Sequence, residues 1–579
     1  MNVLSSSKPF FSPFRTRLTY IALACSVLST SALAAKYEVE ELSTSTLGVN
    51  TFAQALSPTG TALVAVQDAY LPPLDVSLIN FENQTIIDAL TDIESARAGN
   101  PNKADYEYLV SLARSASRQN SLFAQQFALY QSFIVDQTNT RVTGFDQQTA
   151  DTNGFTFSND VIARHITADN MVVGTSEDVF YKINYTNAEE VDLTYVVSDF
   201  SRRAFFQVGS TVTQLPPAMD LAGGVSEAYA INANMQVVGF STVRANQQLT
   251  DLVDACNDPE TLGDQPLSVC LARIAAESTY LQRTDRRATI WQLDNAGTLI
   301  STQTFDLPFV PSEVFADNDN IDDFVFYNTA FDINDSGIAV GESQSVKENT
   351  RSVITAVMYQ DGETIEFLSK EDYVASSATA INNNNLIAGT VTQTVNGSAR
   401  RKLYIYDISN QTLHLPSDFF PGSASEPKDI NDSNLIVGEA EVEFDTTQGS
   451  IRRRNAFLYD FNNDDFVNLN DWLPCDSPYT IVGANAINND NIILANALVT
   501  RQSRDLSGEL VVDDNGEPVL VDKVVAVKLS PIANGEIESC DNSEDAPQER
   551  QGAALTHFYM AFLGLIICWR RRILRTVSH

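Results

Sequence analysis

Five oxygen-bearing side chains in the stretch DFNNDDFVNLND have the spacing of a calcium loop. Asp460, Asn462, Asp464, Asn468 and Asp471 fall at positions 1, 3, 5, 9 and 12, which supply ligands in an EF-hand-type site. Position 6 holds Asp465 where the sharp turn needs Gly, and position 12 holds Asp471 where the bidentate ligand is Glu. Asp460 also follows directly on the alternating segment NAFLY, so the same residues fit the Asn/Asp-rich turn of a β-hairpin. The hairpin turn is the expectation, with calcium as the alternative. No other cofactor is indicated.

Other reactive groupings are sparse. Away from the C-terminal segment the histidines are His165 and His414, and His165 stands beside Ile166 where other repeats carry Ala230 or Asp429. A strand side chain is the expectation for it, rather than a base. GxSxG, HExxH and the phosphate-binding glycine loops do not occur in the context that gives them meaning. Carboxylate pairs are frequent in so acidic a chain and single out no site. Two carboxylates suffice for glycoside hydrolysis, so an extracellular polysaccharide hydrolase or lyase is the alternative function. Arginines recur ahead of one aromatic segment: Arg203, Arg287, Arg351, Arg401 and Arg453. They mark a predicted recognition face, against the alternative that each pairs with a local Asp or Glu.

These residues are positioned by a repeat. DINDSGIAVGES places Ala330, Ile333, Asn334 and Gly341 in a frame that returns at Ala228/Ile231/Asn232/Gly239, Ala378/Ile381/Asn382/Gly389 and Ile430/Asn431/Gly438. It returns again at Ala484/Ile487/Asn488 with Ala495 for Gly, at Ala163/Ile166/Gly174 with Thr167 for Asn, and in degenerate form around Leu56. The seven copies lie 110, 65, 102, 48, 49 and 57 residues apart. Downstream of most copies comes an alternating aromatic segment (RRAFFQV, RRATIWQL, RKLYIYD, RNAFLYD), then a turn and a short strand. Four short strands per unit of about 50 residues predict a propeller blade. The expected fold is therefore all-β: a propeller of seven four-stranded blades over 35–540, with two partly helical insertions at 86–134 and 242–285. The strand KYEVEEL (36–42) is expected to complete the blade formed by KVVAVKLSP (523–531) and so to close the ring. The Asn-Gly turns should lie on one face and the arginine-bearing loops on the other.

The ends point to export. Residues 1–34 run from Lys8, Arg15 and Arg17 through an apolar core to Ala32-Leu33-Ala34, the pattern of a cleaved signal peptide. Residues 541–551 form a polar linker. Residues 552–569 are nearly all apolar and are followed by Arg570, Arg571 and Arg572, a sorting signal or membrane helix. The chain has 37 basic and 74 acidic residues and a net charge of −37, which repels phosphate backbones and argues against nucleic acid as a partner. Cys256, Cys270, Cys475 and Cys540 form an even set, expected to pair as 256–270 and 475–540 in an oxidising compartment.

The repeat frame resembles HAF-type extracellular repeats. The tail resembles the GlyGly-CTERM sorting segment of Gram-negative bacteria, with Gly552-Ala553 where that family has a Gly pair. The whole layout resembles an uncharacterised family of exported gammaproteobacterial proteins with a domain of unknown function. The resemblance implies a sorting protease acting on the tail and a place in the periplasm or on the outer cell surface, either membrane-held or released. It implies no activity. The leading expectation is a noncatalytic binding or scaffold protein with an extracellular or envelope ligand.

Overall fold

In the computed structural model the described residues are 35–538, except 120, 147, 150–153, 156, 316–320, 348–350 and 443–451. For 148, 149, 154, 155 and 351 the described part is the main chain. The signal segment, linker and tail, and Cys540, lie outside the described residues.

Among the described residues, seven four-stranded antiparallel sheets follow one another along the chain, one per repeat. Sheet 4 shows the plan. Asn328–Ile333 is its innermost strand, followed outward by Ala339–Lys347, Arg351–Gln360 and Glu363–Glu366. The aromatic segments are the third strands, including Arg203–Val208, Thr284–Leu293, Ser398–Asp407 and Arg454–Asp460. Alternation turns Phe205 and Phe206 toward opposite neighbouring sheets, and both are fully buried, as are Trp291, Tyr359, Tyr404 and Tyr459. Burying each such ring contributes roughly 1.5–3 kcal/mol. Seven apolar clusters result, one at each junction between successive sheets, including a junction of the last sheet with the first through Leu494, Ala526, Val64 and Ala53. Tyr37–Glu41 pairs with Leu520–Pro531, Tyr37 opposite Pro531, so the N-terminal strand completes the last sheet. The fold is a β-propeller.

The repeat residues owe their identity to the inner hairpin. The innermost strand bulges, with register slips at 228/230, 330/332, 378/380 and 427/429. The bulge drives the backbone against the second strand. A Cβ on Gly239 would lie 1.8 Å from the Glu227 carbonyl oxygen, and one on Gly341 1.9 Å from that of Thr329. The Asn after Ile is a clamp. Asn334 Oδ1 accepts from the Ser336 and Ile338 amides. The Nδ2 groups of Asn232, Asn334, Asn382, Asn431 and Asn488 donate to the main-chain oxygens of Asn334, Asn382, Asn431, Asn488 and Pro58, each in the next repeat. Left-handed backbone falls three residues later, at Gly337, Asn385, Asn434 and Asn491.

Two expectations change in extent. Additions to the repeat occupy 70–129 and 246–283, where 86–134 and 242–285 were expected; Tyr130–Val135 and the ends of Gln236–Ala245 and Thr284–Leu293 are sheet strands. A third addition, the hairpin of Tyr181–Thr186 and Asp192–Val197, had no counterpart in the sequence reading. One expectation is overturned. Membrane attachment through a C-terminal helix is not upheld, since among the described residues no helix is long and apolar enough to cross a membrane. The 15-residue helix Lys103–Ser117 spans about 22 Å at 1.5 Å per residue, short of a bilayer core of about 30 Å. The segment 552–579 itself lies outside the described residues.

Candidate functional site

In an antiparallel meander the loops joining second to third strands share one side of the ring. All three additions occupy that position: 70–129 in sheet 1, 177–202 in sheet 2 and 246–283 in sheet 3. They enclose a cavity of about 320 Å³. The C-terminal end of helix Lys103–Ser117 brings Ser117 and Arg118. The added hairpin brings Val196, Val197 and Ser198, and helix Leu267–Ala276 brings Ala272 and Ala276. Asn246 caps the helix Gln247–Asn257 by accepting from the Leu249 amide, and the Cys256–Cys270 disulfide ties that helix to Leu267–Ala276.

The sheet contributes two carboxyls. Asp160 and Glu177 flank the inner hairpin of sheet 2 just beyond the Val161–Ser176 pair, where the Glu177 amide donates to the Asp160 main-chain oxygen (2.9 Å). The Asp160 amide donates to Glu177 Oε2 (2.8 Å), and Asp160 Oδ1 accepts from the Leu129 and Tyr130 amides (2.6 and 2.9 Å). Asp160 Oδ2 and Glu177 Oε1 accept no hydrogen bond among the described residues. Burial, and then the neighbouring Asp160 charge, push the Glu177 carboxyl up to about 8. Burial likewise raises Asp160, against the pull of its two amide donors. Glu177 is therefore largely protonated at neutral pH. Arg202 and Arg118 reach the rim but are ion-paired with Glu227 (2.7 Å) and Asp68 (3.1 Å).

The predicted arginines lie on this same side but are not gathered into one patch. Arg203 donates to the Gly223 main-chain oxygen at 2.5 Å and stacks on Phe200. Arg287 donates to the Phe326 main-chain oxygen and faces Asp285 at 3.6 Å. Arg401 pairs with Glu426 (3.2 Å), which also holds Arg454. Arg453 is exposed, and its main-chain oxygen accepts from the Val442 amide. Arg351 stands opposite Lys347 in the sheet, its side chain not among those described.

The calcium-loop residues form the hairpin turn. Asp460 pairs with Asp465 across the turn, and Asp460 Oδ1 accepts from the Asn462 and Asn463 amides. Asp464 Oδ1 accepts from the Tyr459 hydroxyl, and Asn468 caps the short helix Leu469–Trp472, which contains Asp471. These oxygens point to different partners, and no group of three or more His, Cys, Asp or Glu among the described residues is placed to hold a metal. Cys475 is disulfide-bonded; its expected partner Cys540 lies outside the described residues.

A second cavity, of about 440 Å³, opens on the ring axis at the Asn-turn face and is lined by all seven repeats. Its carboxylates serve the fold. Asp332 accepts from the Ile333 and Ile381 amides, and Asp429 from those of Ile430 and Ile487. Burial raises them to about 7 and about 6. His165 lies at the same level of the ring, lowered to about 4 by burial and hence neutral.

Sequence reasoning did not find Asp160 and Glu177. Their one legible signal is placement: they bracket the inner hairpin of the second repeat, so that pairing it brings them together.

The propeller is similar to solved structures at low identity. The propeller domain of the trilobed protease from Pyrococcus furiosus shares 12% identity at a TM-score of 0.25, over 58% of this chain and 88% of that one. A putative TolB from Agrobacterium tumefaciens shares 11% at 0.23, over 43% and 86%. A polysaccharide lyase described as a PL25 ulvan lyase shares 10% at 0.25, over 64% and 92%. No curated protein matches the sequence. Residues 16–572 match the profile of the DUF3466 family, described as proteins of unknown function, and the chain belongs to that family.

Proposed function

We propose that this propeller is an exported, noncatalytic binding protein of the cell envelope or surface, with the cavity over sheets 1–3 as its ligand site. One observation carries the proposal: three separate additions to the repeat meet over the same few blades and wall one pocket. Loops held on a rigid scaffold are where binding residues concentrate. Export draws on the signal-like pattern of residues 1–34 and on the Cys256–Cys270 bond, a kind that persists in oxidising compartments. The test is thermal unfolding of the purified protein against small amines, sugars and carboxylates. A ligand-induced rise in the midpoint is expected, and Ala276→Trp, which places an indole in the pocket mouth from an exposed position, should abolish it. No shift with any class would sink the binding reading.

One observation favours the second reading, an extracellular polysaccharide hydrolase or lyase. A carboxyl held protonated at neutral pH, as at Glu177, is suited to act as a general acid. New reducing ends or unsaturated uronates, released from neutral or acidic polysaccharides and absent with Glu177→Gln, would establish that reading in place of the first.

A further inference from the structure

The pocket over sheets 1–3 has mixed walls, in which Ser117, Gln126, Ser198, Ser201 and Ser278 stand beside apolar side chains. Asp160 and Glu177 line it, each with one carboxyl oxygen free of hydrogen bonds among the described residues. Phe127, Phe180, Leu122, Val197, Ala272 and Leu281 supply apolar surface. The charged groups around the two carboxyls are mostly paired with one another. Asp68 adds to the negative field on Asp160. Arg118 is turned to Asp68, Arg202 to Glu227, and Glu277 at the rim is matched by Arg283. The Tyr280 hydroxyl, the remaining titratable group, donates to the Leu221 main-chain oxygen. Arg202 offsets part of the negative field on Glu177 while paired with Glu227, and two carboxyls side by side in a partly desolvated site still favour an incoming cation over a neutral or anionic group.

Building on the binding reading above, we infer that the pocket takes a small organic amine, its ammonium on the free oxygens of Asp160 and Glu177 and its apolar body against the phenylalanines. A neutral sugar could use the wall hydroxyls and the Gln126 amide but would leave the carboxyl charge unmatched. An anion would meet the carboxyl pair. Binding a cation ionises Glu177, so each amine taken up releases close to one proton below the range where that carboxyl titrates on its own.

The experiment is titration calorimetry of the intact protein with benzylamine, and with benzyl alcohol as its uncharged counterpart, at pH 6, 7 and 8 in buffers of different ionisation enthalpy. The expected result is that benzylamine binds and benzyl alcohol does not. The association constant should rise nearly tenfold per pH unit, with about one proton released per ligand at pH 6 to 7, because binding requires the ionised carboxyl. Glu177→Gln should lower benzylamine affinity at least tenfold at pH 8, while Glu177→Asp retains part of it. Equal binding of the amine and the alcohol, or amine binding unchanged in Glu177→Gln, would overturn the amine assignment. Binding of a neutral sugar alone, blocked by Ala276→Trp, would also overturn it and leave the binding site standing. Failure of every ligand class would bring down the binding reading itself.

Discussion

Asp160 and Glu177 are two of 74 acidic residues, and their chemistry comes from burial beside each other. The same physics governs Asp332 and Asp429, but there every carboxylate oxygen accepts an amide across or within repeats, so the charge is spent on the scaffold. At Glu177 one oxygen is left over. This has a consequence for stability. A carboxyl raised to about 8 in the folded protein, from an ordinary value near 4.3, keeps a proton that the unfolded chain releases. Its contribution is complete below the unfolded value and is lost as pH rises through about 8. Glu177→Gln removes that loss. The stability of the variant relative to the parent should therefore climb from pH 5 to pH 9, measured by urea unfolding at each pH. A difference that stays flat over this window would show that Glu177 is ionised throughout.

The inner hairpin is the element that turns a repeated sequence into a ring. Its glycine is fixed by contact: at Gly341 the nearest obstacle to a Cβ is main chain, which cannot swing aside. Its asparagine is fixed by hydrogen bonding. Asn382 Oδ1 accepts from the Asn384 and Leu386 amides, and Nδ2 donates to the Asn431 main-chain oxygen and to Asn434 Oδ1. Asn382→Ala would strand these partners in a buried site, at a cost of about 2–3 kcal/mol. Equilibrium denaturation reads this directly, and a loss under about 0.5 kcal/mol would mean that water replaces the clamp. The turn pattern was legible because glycine and asparagine answer to local geometry. The calcium-like spacing has a local cause as well, since a tight hairpin draws Asp and Asn to cap its own amides.

At the scale of the molecule, closure rests on Tyr37–Glu41, more than 480 residues before its partner strand Leu520–Pro531. Removing residues 35–41 would leave Leu520–Pro531 as an unpaired edge and take Tyr37 from the core between sheets 6 and 7. The thermal midpoint is expected to fall by about 5 °C or more, with new protease cleavage near 520–531. An unchanged midpoint in scanning calorimetry would show that the junction through Leu494, Ala526 and Val64 holds the ring unaided. The additions are attached to this ring at one side, so a change at an exposed pocket residue of theirs, such as Ala276, leaves the junctions between sheets untouched.

The repeat, its four-stranded unit, the aromatic third strand and the strand that completes the last sheet could all be read from the amino-acid order alone. Each of these is written in alternation, turn chemistry and spacing, which act over a few residues. It took long-range packing to make 177–202 a third wall, to engage Arg203, Arg287 and Arg401 with groups at the adjoining blade, and to bring Asp160 and Glu177 together under a cavity. Those outcomes depend on burial and on contacts between residues far apart in the chain. Desolvation and charge coupling have no local signature in a chain where carboxylates are everywhere.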